Sequence, residues 1–264
     1  MPSKNCTLIM VAGAAVAFDA ASALPAVVVT GAAGRTGRAV YNGLKATGKF
    51  DVRALVYGNV STARAALNCT ACDATEGVYL GDVTNLTSLL EPSSGASAII
   101  STIGASGSNT VQASVDWHGV ENQVIALANQ STSLPPSSLK FVMVSSMGTT
   151  QRFPPPFEGG SDLFWKLQGE AFLLSAGLGS AVVLKPCGLA DGPAGKTSLV
   201  TGHDDALLKD GIPTPIARAD VAAVAVQALL DEVPRTLRID LCAKAGPATP
   251  PSAVLQAGRW SWQR

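Results

Sequence analysis

The chain has 264 residues, of which 47% are hydrophobic and 14% charged, and Lys+Arg and Asp+Glu balance at 19 each. This length suits one large α/β domain, and the balanced charge without a basic cluster argues against nucleic acid or an anionic membrane as a partner. A composition this apolar is typical of a parallel sheet covered by helices.

The first 23 residues predict a signal peptide or another targeting leader. Lys4 begins it, an apolar run at 7–18 follows, and Ala21-Ser22-Ala23 supplies an A-x-A-like cleavage site. The apolar run is too short to cross a bilayer as a helix, so no stable membrane span is expected. The leader favours entry into the secretory pathway, or into a plastid reached through it. The alternative is a cytoplasmic protein with an N-terminal extension.

The segment Ala26–Val40, AVVVTGAAGRTGRAV, predicts a strand, a glycine-rich turn and a helix in direct succession. Gly31, Gly34 and Gly37 follow the spacing G-x-x-G-x-x-G. Residues without a Cβ allow backbone N–H groups to close on phosphate oxygens, and a helix N-terminus favours negative charge. The turn therefore predicts a dinucleotide-binding site.

The rest of the chain alternates strand and helix patterns. Strands are predicted at 52–57, 77–80, 98–102, 140–145, 181–184 and 236–241, and helices at 35–47, 61–67, 87–90, 116–129, 163–176 and 221–230, the last capped by Asp220. This order predicts an α/β, Rossmann-like, doubly wound parallel sheet in a single domain at 24–246. Small C-terminal elements would lie on the substrate side, and 247–264 would be a peripheral tail. Ligands of such sheets bind outside the carboxyl ends of the strands.

Cysteine spacing gives little indication of a metal. Cys69 and Cys72 form a single C-x-x-C without a second pair, so no metal site is expected. A local disulfide or redox pair and two unpaired loop cysteines both remain open for them. Cys187 is expected to be a small apolar packing residue.

Seven segments carry a resemblance to a known family. They are VVVTGAAGRTG (27–37), GDVT (81–84), VDWHGVENQVIALA (115–128), VMVSSMG (142–148), WKLQGEAFLLSAGL (165–178), LKPCGLADG (184–192) and ARADVA (217–222). With these segments in this order, the chain resembles the atypical short-chain dehydrogenase/reductases, especially the NmrA-like NAD(P)H-binding group and its plant members.

The resemblance implies a cofactor lying over the glycine turn. The implied cofactor-binding residues are Gly31, Ala33, Gly34, Arg35, Thr36, Gly37, Tyr57, Asp82, Val83, Ser101, Thr102, Ile103, Gly104, Ser145, Lys166, Pro186 and Leu189. Asp82 and Val83 would flank the adenine, and 101–104 would line the adenosine side. Residues 145–147 and 186–189, with Lys166, would line the nicotinamide side.

The end of the second predicted strand bears on the choice between NADP and NAD. An NAD site needs a carboxylate there to accept from the ribose 2′-OH. The strand ends at Val56-Tyr57 without an acid, and Asp51 lies at its other end. Arg35 in the turn can donate a planar fork to a 2′-phosphate. The sequence therefore favours NADP over NAD, with Tyr57 available to stack on the adenine.

The usual catalytic tyrosine is absent. Short-chain dehydrogenases commonly use Tyr-x-x-x-Lys, in which the lysine lowers the pKa of the tyrosine. Asp162 stands four residues before Lys166. A hydride transferred to a small substrate would then be accompanied by a proton from solvent, Ser146 or Lys166, and Ser146 and Lys166 are the predicted catalytic residues.

Two functions stay open. The first is an NADP-dependent oxidoreductase acting on an unknown small-molecule substrate. The second, motivated by the absent tyrosine, is a non-catalytic NADP(H)-sensing regulator or assembly factor with an unknown protein partner. Asp116 and Glu121 are expected to be solvated helix charges, and His118 a surface or structural histidine.

Overall fold

The computed structural model describes residues 24–131, 133–151, 162–209 and 214–263. The predicted leader at 1–23 and the proline-rich segment at 152–161 lie outside these residues. The strands are β1 Ala26–Thr30, β2 Asp51–Val56, β3 Val78–Leu80, β4 Ala96–Ser101, β5 Lys140–Val144, β6 Ser180–Pro186, β7 Leu189–Ala190, β8 Ser198–Gly202, β9 Ile216–Ala217 and β10 Thr236–Lys244. The helices are α1 Arg35–Thr47, α2 Val60–Leu67, α3 Thr87–Leu90, α4 Asn109–Gln112, α5 Gly119–Gln130, α6 Asp162–Ser175, α7 Arg218–Leu230 and α8 Pro251–Ala257.

The sheet has the order β3-β2-β1-β4-β5-β6-β10-β8. Neighbouring strands from β3 to β10 are parallel, and β8 pairs with β10 in the antiparallel direction. Strands β2 and β3 follow β1 on one side of the sheet, and β4, β5 and β6 follow on the other side. The direction in which strands are added therefore reverses between β1 and β4. The predicted doubly wound sheet is confirmed, with the antiparallel edge strand β8 as an element that the sequence pattern missed.

Alternate residues of the central strands enter two separate cores. Val27 and Val29 of β1 face the core shared with α1 and α7, whereas Val28 faces the core shared with α5 and α6. All three valines are fully buried. A continuous apolar run such as AVVV follows from this arrangement, because both faces of a parallel strand are covered by helices.

Two predictions near the C-terminus need correction. Helix α7 begins at Arg218 with Ala217 at the N-cap, and Asp220 is a buried first-turn residue that accepts the N–H of Gly195 at 2.8 Å. Asp220 therefore ties a loop to the helix instead of capping it. The segment predicted as a peripheral tail contains α8, whose Val254 and Leu255 are buried in the core beside α7. Among the described residues, no helix is both long and apolar enough to span a membrane.

The structure pairs four cysteines. Cys69 and Cys72 are disulfide-bonded across a Cα–Cα distance of 5.1 Å, which corrects the alternative of unpaired loop cysteines. Cys187 is bonded to Cys242 with a Cα–Cα distance of 5.2 Å, so Cys187 is more than the apolar packing residue expected. The second pair lies beside Met147 in a small buried cluster.

Candidate functional site

The glycine turn connects β1 to α1 through two close backbone approaches. Gly31 has a φ of +70°, and a Cβ there would lie 2.9 Å from Thr102 Oγ1. A Cβ on Gly37 would lie 2.1 Å from the carbonyl oxygen of Gly31, so no other residue fits at this position. Gly34 is the N-cap of α1 and carries no side chain to cap it. Since the first N–H groups of a helix have no intrahelical acceptor, the turn presents free donors to an anion.

A cavity of about 570 Å³ lies against this turn, and we call it the large cavity. Its walls come from the carboxyl ends of β1 to β4 and from the start of α4. Among its lining residues are Gly31, Ala33, Gly34, Tyr57, Asp82, Val83, Thr102, Ile103 and Gly104, together with Gly81, Thr84, Ala105, Ser106, Thr110, Val111, Ser114 and Val115. The structure therefore brings nine of the predicted residues together at the switch point of the sheet, where ligands of this architecture bind.

Other predicted residues lie at the edge of the large cavity or behind it. Arg35, Thr36 and Gly37 form the first turn of α1. Ser101 is buried and accepts a hydrogen bond from Thr30 Oγ1 at 3.3 Å, so its side chain lies behind the cavity wall. Asp82 accepts the N–H of Thr84 at 2.8 Å, which makes it a turn residue as well as a lining residue.

The carboxyl end of β2 offers an aromatic ring in place of an acid. The strand ends at Val56, and the next residue, Tyr57, lines the large cavity with 76% of its surface exposed. Asp51 is the first residue of β2 and pairs with Arg53 at 3.0 Å. The only carboxylate of this strand is therefore at the end remote from the glycine turn.

A second cavity of about 390 Å³ lies beyond the carboxyl ends of β5 and β6. It is lined by Ser145, Ser146, Met147, Pro186, Cys187, Gly188, Leu189, Leu208 and Arg218. Ser145, Ser146, Pro186 and Leu189 were predicted from the sequence. Arg218 was not predicted as a site residue, although its segment ARADVA was among those carrying the resemblance, because a first-turn arginine is also typical of a solvated helix end.

Ser145 is held by a buried carboxylate. Its hydroxyl donates to Glu170 Oε1, and Glu170 Oε2 accepts from Arg238 Nε at 2.7 Å. Glu170 is fully buried, and Arg238 also donates to Asp204 at 3.0 Å. Because the hydroxyl hydrogen of Ser145 is committed to Glu170, the oxygen is left to accept hydrogen bonds from a ligand.

Lys166 and Asp116 form a buried ion pair. The distance between Lys166 Nζ and Asp116 Oδ1 is 2.7 Å, and the Asp116 side chain is 1% exposed, so the expectation of a solvated charge there is wrong. A Cβ on Gly104 would lie 3.3 Å from Lys166 Nζ, and the N–H of Ala105 donates to Asp116 at 3.4 Å. The pair thus stands behind the part of the large-cavity wall formed by Gly104 and Ala105. Sequence spacing gave no signal for it, since the residues are fifty positions apart.

A third buried charge cluster holds the loop after β5. Asp205 accepts from Lys185 Nζ at 2.7 Å and from the N–H groups of Gly148 and Thr150 at 2.8 Å each. Burial opposes ionisation of Asp205, but the hydrogen bonds from Lys185, Thr150 and Gly148 outweigh it and lower its pKa. Burial raises the pKa of Asp240, which lies 3.3 Å from the same ammonium.

Both histidines of the chain have structural partners. His118 is half-exposed, stacks on Trp117 and lies 2.7 Å from Glu121 through Nδ1. His203 stacks on Trp260 and contacts the Arg238 carbonyl oxygen at 3.0 Å. His118 is therefore the surface histidine that was expected, and neither histidine lines the two cavities.

Comparison with known proteins shows the family of this chain. A family described as NAD(P)H-binding matches residues 31–232, which is more than half of the chain. The chain belongs to this NAD(P)H-binding family. An uncharacterized chloroplastic protein of Arabidopsis thaliana is 31% identical over 249 residues, covering 85% of this chain and 71% of the relative. Sanguinarine reductase of Eschscholzia californica is 27% identical over 260 residues, covering 83% of this chain and 89% of that enzyme.

Solved structures agree on the architecture. An oxidoreductase from Lactococcus lactis superposes with a TM-score of 0.64 at 16% identity, covering 88% of this chain and 95% of that one. At this identity the likeness establishes the fold. Together, the family and the fold show that this chain is an NAD(P)H-binding protein with a Rossmann-like sheet.

Proposed function

We propose that the protein is an NADP-dependent reductase that transfers a hydride to a small conjugated acceptor. The observation that carries the proposal is the glycine turn, in which the approach of Gly37 to Gly31 excludes any side chain and leaves first-turn N–H groups of α1 open to a pyrophosphate. The large cavity, at about 570 Å³, falls in the range of small-ligand sites. When bound, the cofactor supplies the hydride, and the protein binds and orients the reactants.

The preference for NADP rests on two side chains. Arg35 begins α1 directly after the turn and carries a planar donor fork that suits a 2′-phosphate. Tyr57, exposed at the end of β2, supplies a ring on which the adenine would stack, and no carboxylate follows the strand to accept from a 2′-OH. Asp82 and Val83 would flank the adenine from the neighbouring strand end.

The residues of the second cavity would orient the acceptor and manage its proton. Ser146 lines this cavity and is part-buried, and its hydroxyl donates to the Met147 carbonyl at 3.0 Å. Rotation of this hydroxyl would let it relay a proton from solvent to the acceptor. Ser145, oriented by Glu170, would accept a hydrogen bond from the cofactor or the acceptor. Lys166, paired with Asp116, would hold the Gly104–Ala105 wall in position.

Two relatives support parts of this proposal: one is a reductase, and the other is a chloroplastic protein. Sanguinarine reductase is matched over most of its length by this chain, which supports a reductase activity. The chloroplastic protein of Arabidopsis thaliana supports delivery of this chain to a plastid by its N-terminal leader. The leader's cleavage would be checked by sequencing the N-terminus of the mature protein.

The test is NADPH oxidation followed by absorbance with a panel of quinones, flavins and enones. We expect turnover with at least one acceptor class and a fall of roughly tenfold or more in kcat for Ser146→Ala, the usual size for loss of a proton relay. Ser133→Ala, at a described loop position outside both cavities, is the control and should leave kcat unchanged. Absence of NADPH consumption across the panel would contradict the proposal.

One observation favours a second function. Asp162 occupies the position at which the common tyrosine would stand, four residues before Lys166. A protein that binds NADP(H) without turnover would act as a sensor or assembly factor. Cofactor binding in calorimetry, no oxidation with any acceptor, and recovery of one protein partner only in the presence of cofactor would support this second function.

A further inference from the structure

Asp191 connects the walls of the two cavities through ion pairs with two arginines. Its Oδ2 lies 3.2 Å from Arg35 Nη1, and its Oδ1 lies 2.7 Å from Arg218 Nη1. Arg35 follows the glycine turn beside the large cavity, whereas Arg218 begins α7 and lines the second cavity. One carboxylate therefore holds guanidinium groups from both sides of the cleft.

The cluster carries more positive than negative charge. In the part of the chain that the structure describes, the salt bridges of Arg35 and Arg218 are both made to Asp191. The Arg218 side chain is 13% exposed, while those of Arg35 and Asp191 are 65% and 67% exposed. A largely desolvated arginine and an exposed one thus share a single exposed carboxylate, so two positive charges face one negative charge among the described residues.

Two guanidinium groups that converge on one carboxylate can also bind a phosphate. A phosphate group of a dinucleotide offers two or three unbridged oxygens and one or two negative charges, and arginine forks bind such groups in a bidentate manner. Partial desolvation opposes ionisation of the exposed Asp191 carboxyl, but the hydrogen bonds and charges of Arg218 and Arg35 outweigh it and lower its pKa, so the carboxylate is charged at neutral pH. The charged Asp191 carboxylate therefore occupies the position between Arg35 and Arg218 at which a phosphate would bind.

We propose that Arg35 and Arg218 form a phosphate-binding site for the dinucleotide and that Asp191 is an internal competitor, which the phosphate displaces. The inference rests on the proposed cofactor binding and adds to it a residue that weakens affinity. The exposed Arg35 side chain turns from Asp191 to the phosphate, while Arg218 stays in the cavity wall. Removing the charge of Asp191 then tightens dinucleotide binding, because no ion pair with the arginines has to be broken first.

The decisive variant is Asp191→Asn, with the affinity for NADPH measured by fluorescence titration at low and physiological salt. We expect binding two- to fivefold tighter than in the wild type, about the effect of releasing an exposed ion pair, and a smaller gain at higher salt. The matched control is Asp51→Asn, which makes the same charge change in an exposed pair with Arg53 at the far end of β2. Its affinity should equal that of the wild type.

Unchanged or weaker NADPH binding by Asp191→Asn would overturn the inference, since a carboxylate that closes over the cofactor predicts weakening. A parallel calorimetric titration with inorganic pyrophosphate makes the outcomes separable. If the wild type binds no NADPH, the proposed function is wrong. Tighter binding of pyrophosphate by Asp191→Asn than by the wild type would still support the anion site. If the wild type binds NADPH but Asp191→Asn binds neither NADPH nor pyrophosphate more tightly, only the role of Asp191 as a competitor is wrong.

Discussion

At the scale of single residues, two ion pairs with buried carboxylates lie behind the walls of the candidate site. Lys166 with Asp116 and Glu170 with Arg238 are buried or nearly so, and each pair backs a wall of one cavity. Taking such charges out of water costs several kcal/mol per ion, which the partner's charge and hydrogen bonds offset. These pairs therefore fix the positions of Gly104 and Ser145 more than they stabilise the fold.

The Asp116–Lys166 pair gives a direct test of this view. Asp116→Ala leaves the Lys166 ammonium, 11% exposed, without its partner, and we expect a loss of about 3 kcal/mol in the free energy of unfolding. Asp116→Ala combined with Lys166→Met removes both charges and should regain most of this loss. Urea unfolding of the two variants measures the effect. A double variant no more stable than Asp116→Ala would show that charge burial is not the cause.

At the scale of elements, the strand–turn–helix unit at the start of the domain was predictable because it is local. The glycines and the helix at 35–47 follow from contacts within a short stretch, and α1 has these bounds in the structure. Edge strand β8 was not predictable, because it is fixed by antiparallel pairing with β10 about forty residues later. The same holds for Asp116 and Asp220, whose burial depends on residues distant in sequence.

The candidate site was predictable to a similar degree. The sequence pattern predicted where the strands end, and therefore also that Tyr57, Asp82 and the glycines would lie together at the large cavity. It did not reveal that Asp191 pairs with Arg35, since this contact joins residues 156 positions apart. Strand ends follow from local pattern, whereas the partner of a long charged side chain depends on tertiary structure.

Gly37→Ala tests the turn as an element. The added Cβ would lie 2.1 Å from the Gly31 carbonyl oxygen and 2.7 Å from Thr102 Oγ1, so the backbone must move. We expect at least about tenfold weaker NADPH binding and a loss of about 1–3 kcal/mol in stability. In Gly43→Ala, the control in the same helix, the Cβ meets only a movable methyl of Val226 at 3.3 Å. Fluorescence titration of Gly37→Ala giving wild-type affinity would contradict the tight turn.

At the scale of the whole molecule, charges in the second half of the sheet connect separate elements. Lys185 of β6, Asp240 of β10 and Asp205 between β8 and α7 meet under the loop that follows β5. This loop supplies Ser145, Ser146 and Met147 to the second cavity. The cluster thus couples the stability of the sheet to the shape of the site.

Acid unfolding tests this coupling. The pKa of Asp205 is lowered from 3.8, so its contribution to stability is complete above that value and is lost as the pH falls through the lower folded-state pKa. Asp240, whose pKa is raised, contributes in the opposite sense and loses its contribution as the pH rises. We expect Asp205→Asn to lose about 3 kcal/mol at neutral pH and to show a shallower stability loss in acid.

Urea unfolding of the wild type and Asp205→Asn at a series of pH values between about pH 7 and about pH 3 gives the comparison. Asp51→Asn serves as the control for an exposed carboxylate. Parallel pH profiles for the wild type and Asp205→Asn would refute the role of this carboxylate.

The proposed function requires that the glycine turn and Arg35 bind NADP(H) in preference to NAD(H). Calorimetric titration of the protein with NADPH and NADH, repeated on Arg35→Gln, tests it most directly. We expect the wild type to bind NADPH about tenfold or more tightly than NADH, the size of one charged hydrogen bond, and Arg35→Gln to lose more affinity for NADPH than for NADH, so that the preference falls. Equal affinities in the wild type, or tighter binding of NADH, would contradict it.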